Sequence, residues 1–451
     1  MKFRKFGKAL LMAAISAGAV LGVTSCVQSY TVGFLFVTGT HTAGNGQGVI
    51  SGFKIDHNTG NLVAINGLPV ASGGANPGRA VLGNGSRFLY VLNLGTDHTT
   101  SGPCTAATVN CDGAKISQFA VGGTGILSFQ QEYFSQGLNP FRIIVDGQQN
   151  YLYALDAVAP SAASCALALG STVTSCGDIT AFKIDPGTGR LTLLVNAQVS
   201  SATGTPLPYF PVPANPIDFA LTGSNVFTLS GTPATGDVVF PYAYNPASGQ
   251  LTITQNSPQP IGATQGTAIV AASSGTIYVL DNDPITIQSG NSANFPPGVY
   301  TSQILPFTAT GSGSLEAQTG GAVPVDPNQS NPIYLITGGT GGKFVYVANH
   351  GPNANSTVTQ TGVVGYRTDP STHQLLPMAQ SPFGMGSGPQ CLLQDPSNQF
   401  IYTANFNDST VTGRLLDNNS GALTGLQGKT TAQSFKLDGP PAWCLVSGRT
   451  N

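Results

Sequence analysis

Charge is what this chain has least of. Only 8% of its 451 residues are Asp, Glu, Lys or Arg, and just two, Glu132 and Glu316, are Glu. Such a chain cannot build the dense basic footprint that nucleic acid demands. It has a single Trp, Trp443, and no Trp-Asp dipeptide, which sets aside the WD type of repeat. No CxxC occurs, which counts against a structural zinc site. Beyond Val23 no run is apolar and long enough for a spanning helix. The GxSxG elbow, HExxH, the P-loop and the EF-hand register are all missing. Asp281-Asn282-Asp283 reads as a turn rather than a calcium loop. No metal and no cofactor is expected.

What is there is glycine, proline and short apolar packets. The chain holds 58 Gly and 31 Pro, with 41% apolar residues delivered in strand-length pieces, the profile of a turn-rich β protein rather than a disordered one. Its N-terminus reads as an export signal. Lys2, Arg4, Lys5 and Lys8 precede the apolar stretch 9–23, and Val23-Thr24-Ser25-Cys26 looks like a bacterial lipobox. The expectation is a signal peptide over 1–25, acylation of Cys26, a short tether over 26–31 and one domain over 32–451. Removing 1–25 leaves 13 basic against 19 acidic residues, a net charge of −6. Six Cys then remain, an even number suited to an oxidising compartment. Cys104 with Cys111 and Cys165 with Cys176 each flank one short loop, and Cys391 with Cys444 occupies matching positions in two repeats, so three disulfides are expected.

One short sentence recurs along the chain: FLFVTG (34–39), FLYVLN (88–93), YLYALD (151–156), VFTLS (226–230), TIYVLD (276–281), FVYVAN (344–349) and FIYTAN (400–405). Each copy is followed by a strand ending in a turn, as in GFKIDHNTGNL (52–62) and AFKIDPGTGRL (181–191), and preceded by a small-residue/Pro signal such as NPGRAVL (76–82) or NPFRIIV (139–145). Periodicity on this scale marks a repeat architecture. The unit reads as four strands, A to D, with B apolar along its whole length because both its faces are covered. Seven units can be counted. Six are continuous, and the seventh takes strand A from AWCLVS (442–447) and the rest from 32–66. The expected fold is therefore all-β: a seven-bladed β-propeller of four-stranded blades, its last blade closed by N- and C-terminal strands.

The grammar G-x-x-P…Y-V-x-N…F-x-I-D-x-x-T-G-x-L resembles the seven-bladed lactonase family, which includes 6-phosphogluconolactonase-type propellers and YVTN-repeat surface proteins. The likeness covers essentially the whole mature chain and implies an activity, hydrolysis of a sugar lactone or related cyclic ester. In that family strand A often begins G-P-x-His, and an acidic residue follows the Tyr-Val-x-Asn strand. Here the His position holds Arg79, Arg142, Asp218, Thr267, Tyr334 and Cys391, with Trp443 nearest in the split blade. The acidic position holds Leu94, Ala157, Asn282, His350 and Phe406. The family's general-base pattern is not found.

Polar candidates still gather at strand ends on the loop-bearing top face. His41, His98 and His350 follow strand B in three blades, and Asp97, Asp156, Asp281 and Asp283 share that zone. A hydrolase would use one of these His, set by Asp97 or Asp156, to activate water, while Arg79, Arg142 and Tyr334 bind an anionic ligand. The bland alternative is that strand-end Asx and His residues are turn formers and that Asp218 satisfies the two Arg. His57 and His373 fall in C–D turns on the opposite face and read as solvent residues. The resulting expectation is a lipid-anchored, extracytoplasmic binding or interaction module on the bacterial cell envelope. It would be monomeric, with a protein or carbohydrate ligand on the top face, no nucleic acid, and lactone hydrolysis as the alternative. Strand B of the split blade starts a few residues after Cys26, so the bottom face should look at the membrane.

Overall fold

A computed structural model describes residues 30–448 apart from 42–45, 106–107, 109–110, 232–234, 255–257, 273–274, 289–294, 312, 353–359 and 427–433. Cys26 and the signal segment lie outside the described residues.

Seven antiparallel sheets follow one another with strand A innermost. Blade 1 runs Pro77–Gly83, Phe88–Asn93, Lys115–Val121 and Leu127–Tyr133. Blade 2 runs Leu138–Val145, Tyr151–Val158, Gly177–Ile184 and Leu191–Leu193. Blades 3 to 6 open with strands A at Pro216–Leu221, Gly266–Ala271, Pro332–Gly338 and Pro389–Gln394. Blade 7 is the split one: the C-terminal strand Pro441–Gly448 pairs with Thr31–Thr40, which pairs with Gln47–Asp56 and so to Leu62–Ala64. Closing the ring with both ends of the chain completes the seventh blade and leaves only short inner edges, sheltered where the strands A face one another around the channel.

The uniformly apolar strand B follows from this closure. Successive side chains point to opposite faces, and each face meets a different neighbour. In blade 7, Leu35 and Val37 pack towards Tyr402 and Ala404 of blade 6, while Phe34 and Phe36 pack towards Leu89 and Val91 of blade 1. The core is thus a set of seven layers between blades. An eighth cluster beneath the 159–176 loop contains Cys165, Cys176, Leu207 and Tyr209.

The recurrent F-x-Y and D-x-x-T-G segments meet at the seams. Tyr90, Tyr153, Tyr346 and Tyr402 of strands B donate their hydroxyls to the carbonyls of Gly189, Gly249, Gly421 and Gly60, each in the C–D turn of the next blade. Two residues earlier on the same strand face, Phe88, Tyr151, Phe344 and Phe400 lie against those same glycines. A Cβ on Gly249 would fall 2.4 Å from the Tyr151 ring, and its φ of +72° disfavours any side chain. The Asp or Asn that opens each of these turns shapes it: Asp185 Oδ1 accepts from the N–H of Gly187 and Thr188 and from Thr188 Oγ1, at 3.0, 2.7 and 2.8 Å, and Asn245 Oδ1 accepts from the Ala247 N–H.

Three disulfides join Cys104–Cys111, Cys165–Cys176 and Cys391–Cys444, with Cα separations of 5.7, 5.6 and 5.9 Å. The third ties strand A of blade 6 to strand A of blade 7. Sequence periodicity had no means of showing the helix Ala162–Leu169 inside the second stapled loop, or the short outer segments such as Phe210–Val212 that pair a second time with strand C. Their residues follow no repeat. Among the described residues no helix is long and apolar enough to cross a membrane.

Candidate functional site

Asn-Pro at the start of strand A sets the geometry of the channel mouth. Asn76, Asn139, Asn215 and Asn331 hold φ between +50° and +56°. The strand then slips register directly after the Pro, between Pro140 and Arg142, Pro216 and Asp218, and Pro332 and Tyr334. A bulge of this kind re-aims a side chain. The residue two past the Pro comes from a different blade each time, and five such residues converge.

Asp218 is at the centre and is 1% exposed. Arg79 grips it with both nitrogens, Nη1 to Oδ1 at 3.1 Å and Nη2 to Oδ2 at 3.2 Å, reaching from blade 1 to blade 3. Arg142 approaches the same carboxylate through Nε at 3.5 Å and donates Nη1 to the Phe141 carbonyl at 3.0 Å. The Arg79 guanidinium stacks 4.6 Å from the Trp443 ring, which meets Tyr334 edge-on at 4.7 Å. Two guanidinium groups share one carboxylate, so the cluster carries a surplus positive charge. Burial pushes Arg142 down to about 10, with Asp218 opposing that shift and Arg79 adding to it. Burial also raises Tyr334. Arg142 nevertheless keeps 35% of its side chain open to the mouth, against 10% for Arg79.

The structure therefore brings Arg79, Arg142, Tyr334 and Asp218 into one cluster. The three histidines are engaged elsewhere, His98 within its own loop and the other two with residues of neighbouring blades. His98 Nε2 meets Asp112 Oδ2 at 2.5 Å, in a cleft of about 470 Å³ that Thr96 and Lys115 also line. Asp97, the orienting partner expected from sequence, instead accepts from the Thr99 N–H. His41 pairs with Asp438 at 3.5 Å. His350 lies 5.7 Å from Phe406, and burial lowers its basicity. Asp156 is fully buried inside blade 2 rather than at the mouth. Asp281 and Asp283 accept from Thr264, Gln265 and Gln303, which accounts for the D-N-D turn. On the opposite face His57 stacks on Tyr30 at 4.3 Å. Sequence reasoning missed Asp112 and underweighted Trp443. The Cys before Asp112 was a signal that a stapled loop would hold it in place.

The family model described as lactonase, 7-bladed β-propeller, matches residues 301–440. No curated protein matches the chain by sequence. Among solved structures, a Bacteroides uniformis protein assigned as a 6-phosphogluconolactonase superposes with a TM-score of 0.61 at 15% identity, covering 92% of this chain and 99% of its own. The periplasmic gluconolactonase of Pseudomonas aeruginosa gives 0.58 at 16% identity, covering 93% and 100%. A Lactobacillus plantarum protein gives 0.54 at 16%, covering 92% and 99%. At these identities the likeness shows the fold.

Proposed function

We propose that this chain, a seven-bladed β-propeller of the lactonase type, is a lipid-anchored binding module outside the cytoplasm that takes a small anionic ligand at its channel mouth. The observation that carries this reading is the Arg142 guanidinium. It is held in place by Asp218 and the Phe141 carbonyl, belongs to a cluster with surplus positive charge, and remains partly open. A carboxylate or phosphate meeting it would form charge-assisted hydrogen bonds. Tyr334 and Trp443 add an aromatic surface to the same cluster, beside Arg79, of the kind a carbohydrate acid packs against.

Three disulfides support an oxidising, extracytoplasmic setting. Acylation at Cys26 would place strand Thr31–Thr40 a few residues from the bilayer, turning the C–D turns towards the membrane and the channel mouth away from it. Labelling intact cells with a bulky thiol reagent tests this. A Cys placed in the exposed 98–101 turn should react, and one in the 371–373 turn should be shielded.

The binding reading is tested by titrating aldonates and sugar phosphates calorimetrically. Arg142→Ala should weaken binding at least about tenfold, the loss expected of a charged hydrogen bond worth about 1.5–3 kcal/mol. Unchanged affinity would overturn the assignment. A second reading, hydrolysis of a sugar lactone, is favoured by the Pseudomonas gluconolactonase, whose fold covers nearly the same length. It requires turnover of gluconolactone above the uncatalysed rate that falls in Arg79→Ala and Arg142→Ala.

A further inference from the structure

Blade 2 buries two carboxyl groups face to face. Asp156 stands near the end of strand B and Asp178 near the start of strand C, directly opposed in the ladder, and both are 0% exposed. Thr180 Oγ1 donates to Asp156 Oδ2 at 3.0 Å. The Ser135 side chain and the Gly137 N–H also bear on Asp156, and Thr180 on Asp178, but Asp156 Oδ1 and both oxygens of Asp178 are buried without a donor of good geometry. Gly137 closes the site from above, so tightly that a Cβ there would lie 2.5 Å from the Asp156 Cβ.

Other blades show what this place in the sheet normally holds. In blade 4 the strand-B residue is again an Asp, Asp281, and its opposed partner Gln303 donates an amide N–H to it at 2.8 Å. In blade 6 Asn405 faces Thr410, with 3.0 Å between Nδ2 and Oγ1. Both partners are neutral. Blade 2 puts a second carboxyl there instead, and two buried carboxylates in contact cannot both keep their charge.

We propose that Asp156 and Asp178 form a buried proton-binding site, in which Asp178 is the acid that donates and Asp156 the carboxylate that accepts. The proton comes from solvent and takes the place of the Gln303 amide proton in blade 4. Burial drives both carboxyls upward: Asp156 to about 7, and Asp178 well above its ordinary range with the Asp156 charge adding to the shift. The other titratable groups facing the pair are Tyr209 and Tyr242, both raised by burial and therefore neutral alongside it. Arg142 on strand A, opposed to Leu155, is committed to Asp218.

The pair sits at the two stems of the 159–176 loop, between Val158 and Cys176, so the proton holds the root of the helix-bearing loop together. Because both folded values lie above the ordinary carboxylate range of about 4, the folded state binds more protons than the unfolded one. The stabilisation is complete in acid and is lost as pH rises through neutrality.

The test measures thermal unfolding between about pH 5 and about pH 9, together with the infrared carbonyl stretch of a protonated carboxyl at neutral pH. The wild type should lose several degrees more than Asp178→Asn over that range. Its protonated-carboxyl band should vanish in the variant, whose amide supplies the donor permanently. If Asp178→Asn does not fold, Asp156→Asn should flatten the profile in the same way. Parallel pH profiles, a missing band in the wild type, or a midpoint that a calcium chelator lowers would each overturn the proposal, the last in favour of a metal ion.

Discussion

Two sets of contacts circle the propeller axis, and they are built on opposite rules. At the seams the same pair, a strand-B Tyr and a turn Gly, occurs four times. At the channel mouth the corresponding positions read Arg79, Arg142, Asp218, Thr267, Tyr334, Cys391 and Trp443, and only Arg occurs twice. The seam solves a problem every blade shares, that of packing one sheet on the next, so one solution repeats. The mouth has no such constraint, because five of these side chains, each from a different blade, meet there once. Its variety makes a single asymmetric cluster of charge and aromatic surface. Repetition marks what a blade needs, and divergence marks what only the closed ring can do.

Breaking the mouth should have the largest effect. Asp218→Ala would leave Arg79 and Arg142 crowded without their carboxylate. Removing one partner of a buried ion pair costs about 3–5 kcal/mol. The partial exposure of Arg142 places the expected loss at the low end, about 3 kcal/mol, in urea unfolding. A loss below about 1 kcal/mol would mean that the cluster is solvated and does not organise the channel. Breaking one seam should cost less. Gly249→Ala forces a side chain into the left-handed region and against Tyr151, an expected loss of about 2 kcal/mol or more. Tyr153→Phe, which orphans the Gly249 carbonyl and removes the contact with the Tyr244 hydroxyl, should cost about 1–2 kcal/mol. If Tyr153→Phe proved neutral, the repeated hydroxyl would be solvated some other way and the seam would rest on ring packing alone.

The smallest effect sharpens the comparison from the other side. The C–D turn of blade 5 carries His373 at φ +59°, where the six other turns carry Gly. His373→Gly should stabilise by about 0.5 kcal/mol, the left-handed penalty relieved less the extra entropy of Gly in the unfolded chain. A destabilised His373→Gly would show that the imidazole makes a contact worth more than its strain.

Much of the scaffold was legible before any coordinates. The F-x-Y and D-x-x-T-G segments are local codes: an Asx turn, a left-handed Gly and a two-residue strand period each fix their own neighbourhood, and repetition makes them visible. Even blade 7, split across the chain ends, could be read from AWCLVS matching the strands A. The helix Ala162–Leu169 was invisible because it occurs once, in a loop whose order comes from Cys165–Cys176 and the cluster around Tyr209. The partner of His98 was invisible because Asp112 lies 14 residues on and reaches it through a stapled turn.

The sequence by itself determined the strand repeats, the turn chemistry, the blade count and the even set of paired cysteines, since each depends on residues a few positions apart or on a pattern repeated along the chain. Only the tertiary structure decided that Asp218 would hold both Arg79 and Arg142, that Trp443 would cover one of them, and that Asp156 would face a second buried carboxyl rather than solvent. Those contacts join different blades or opposed strands. Their energies depend on distance and exposure, which no spacing along the chain encodes.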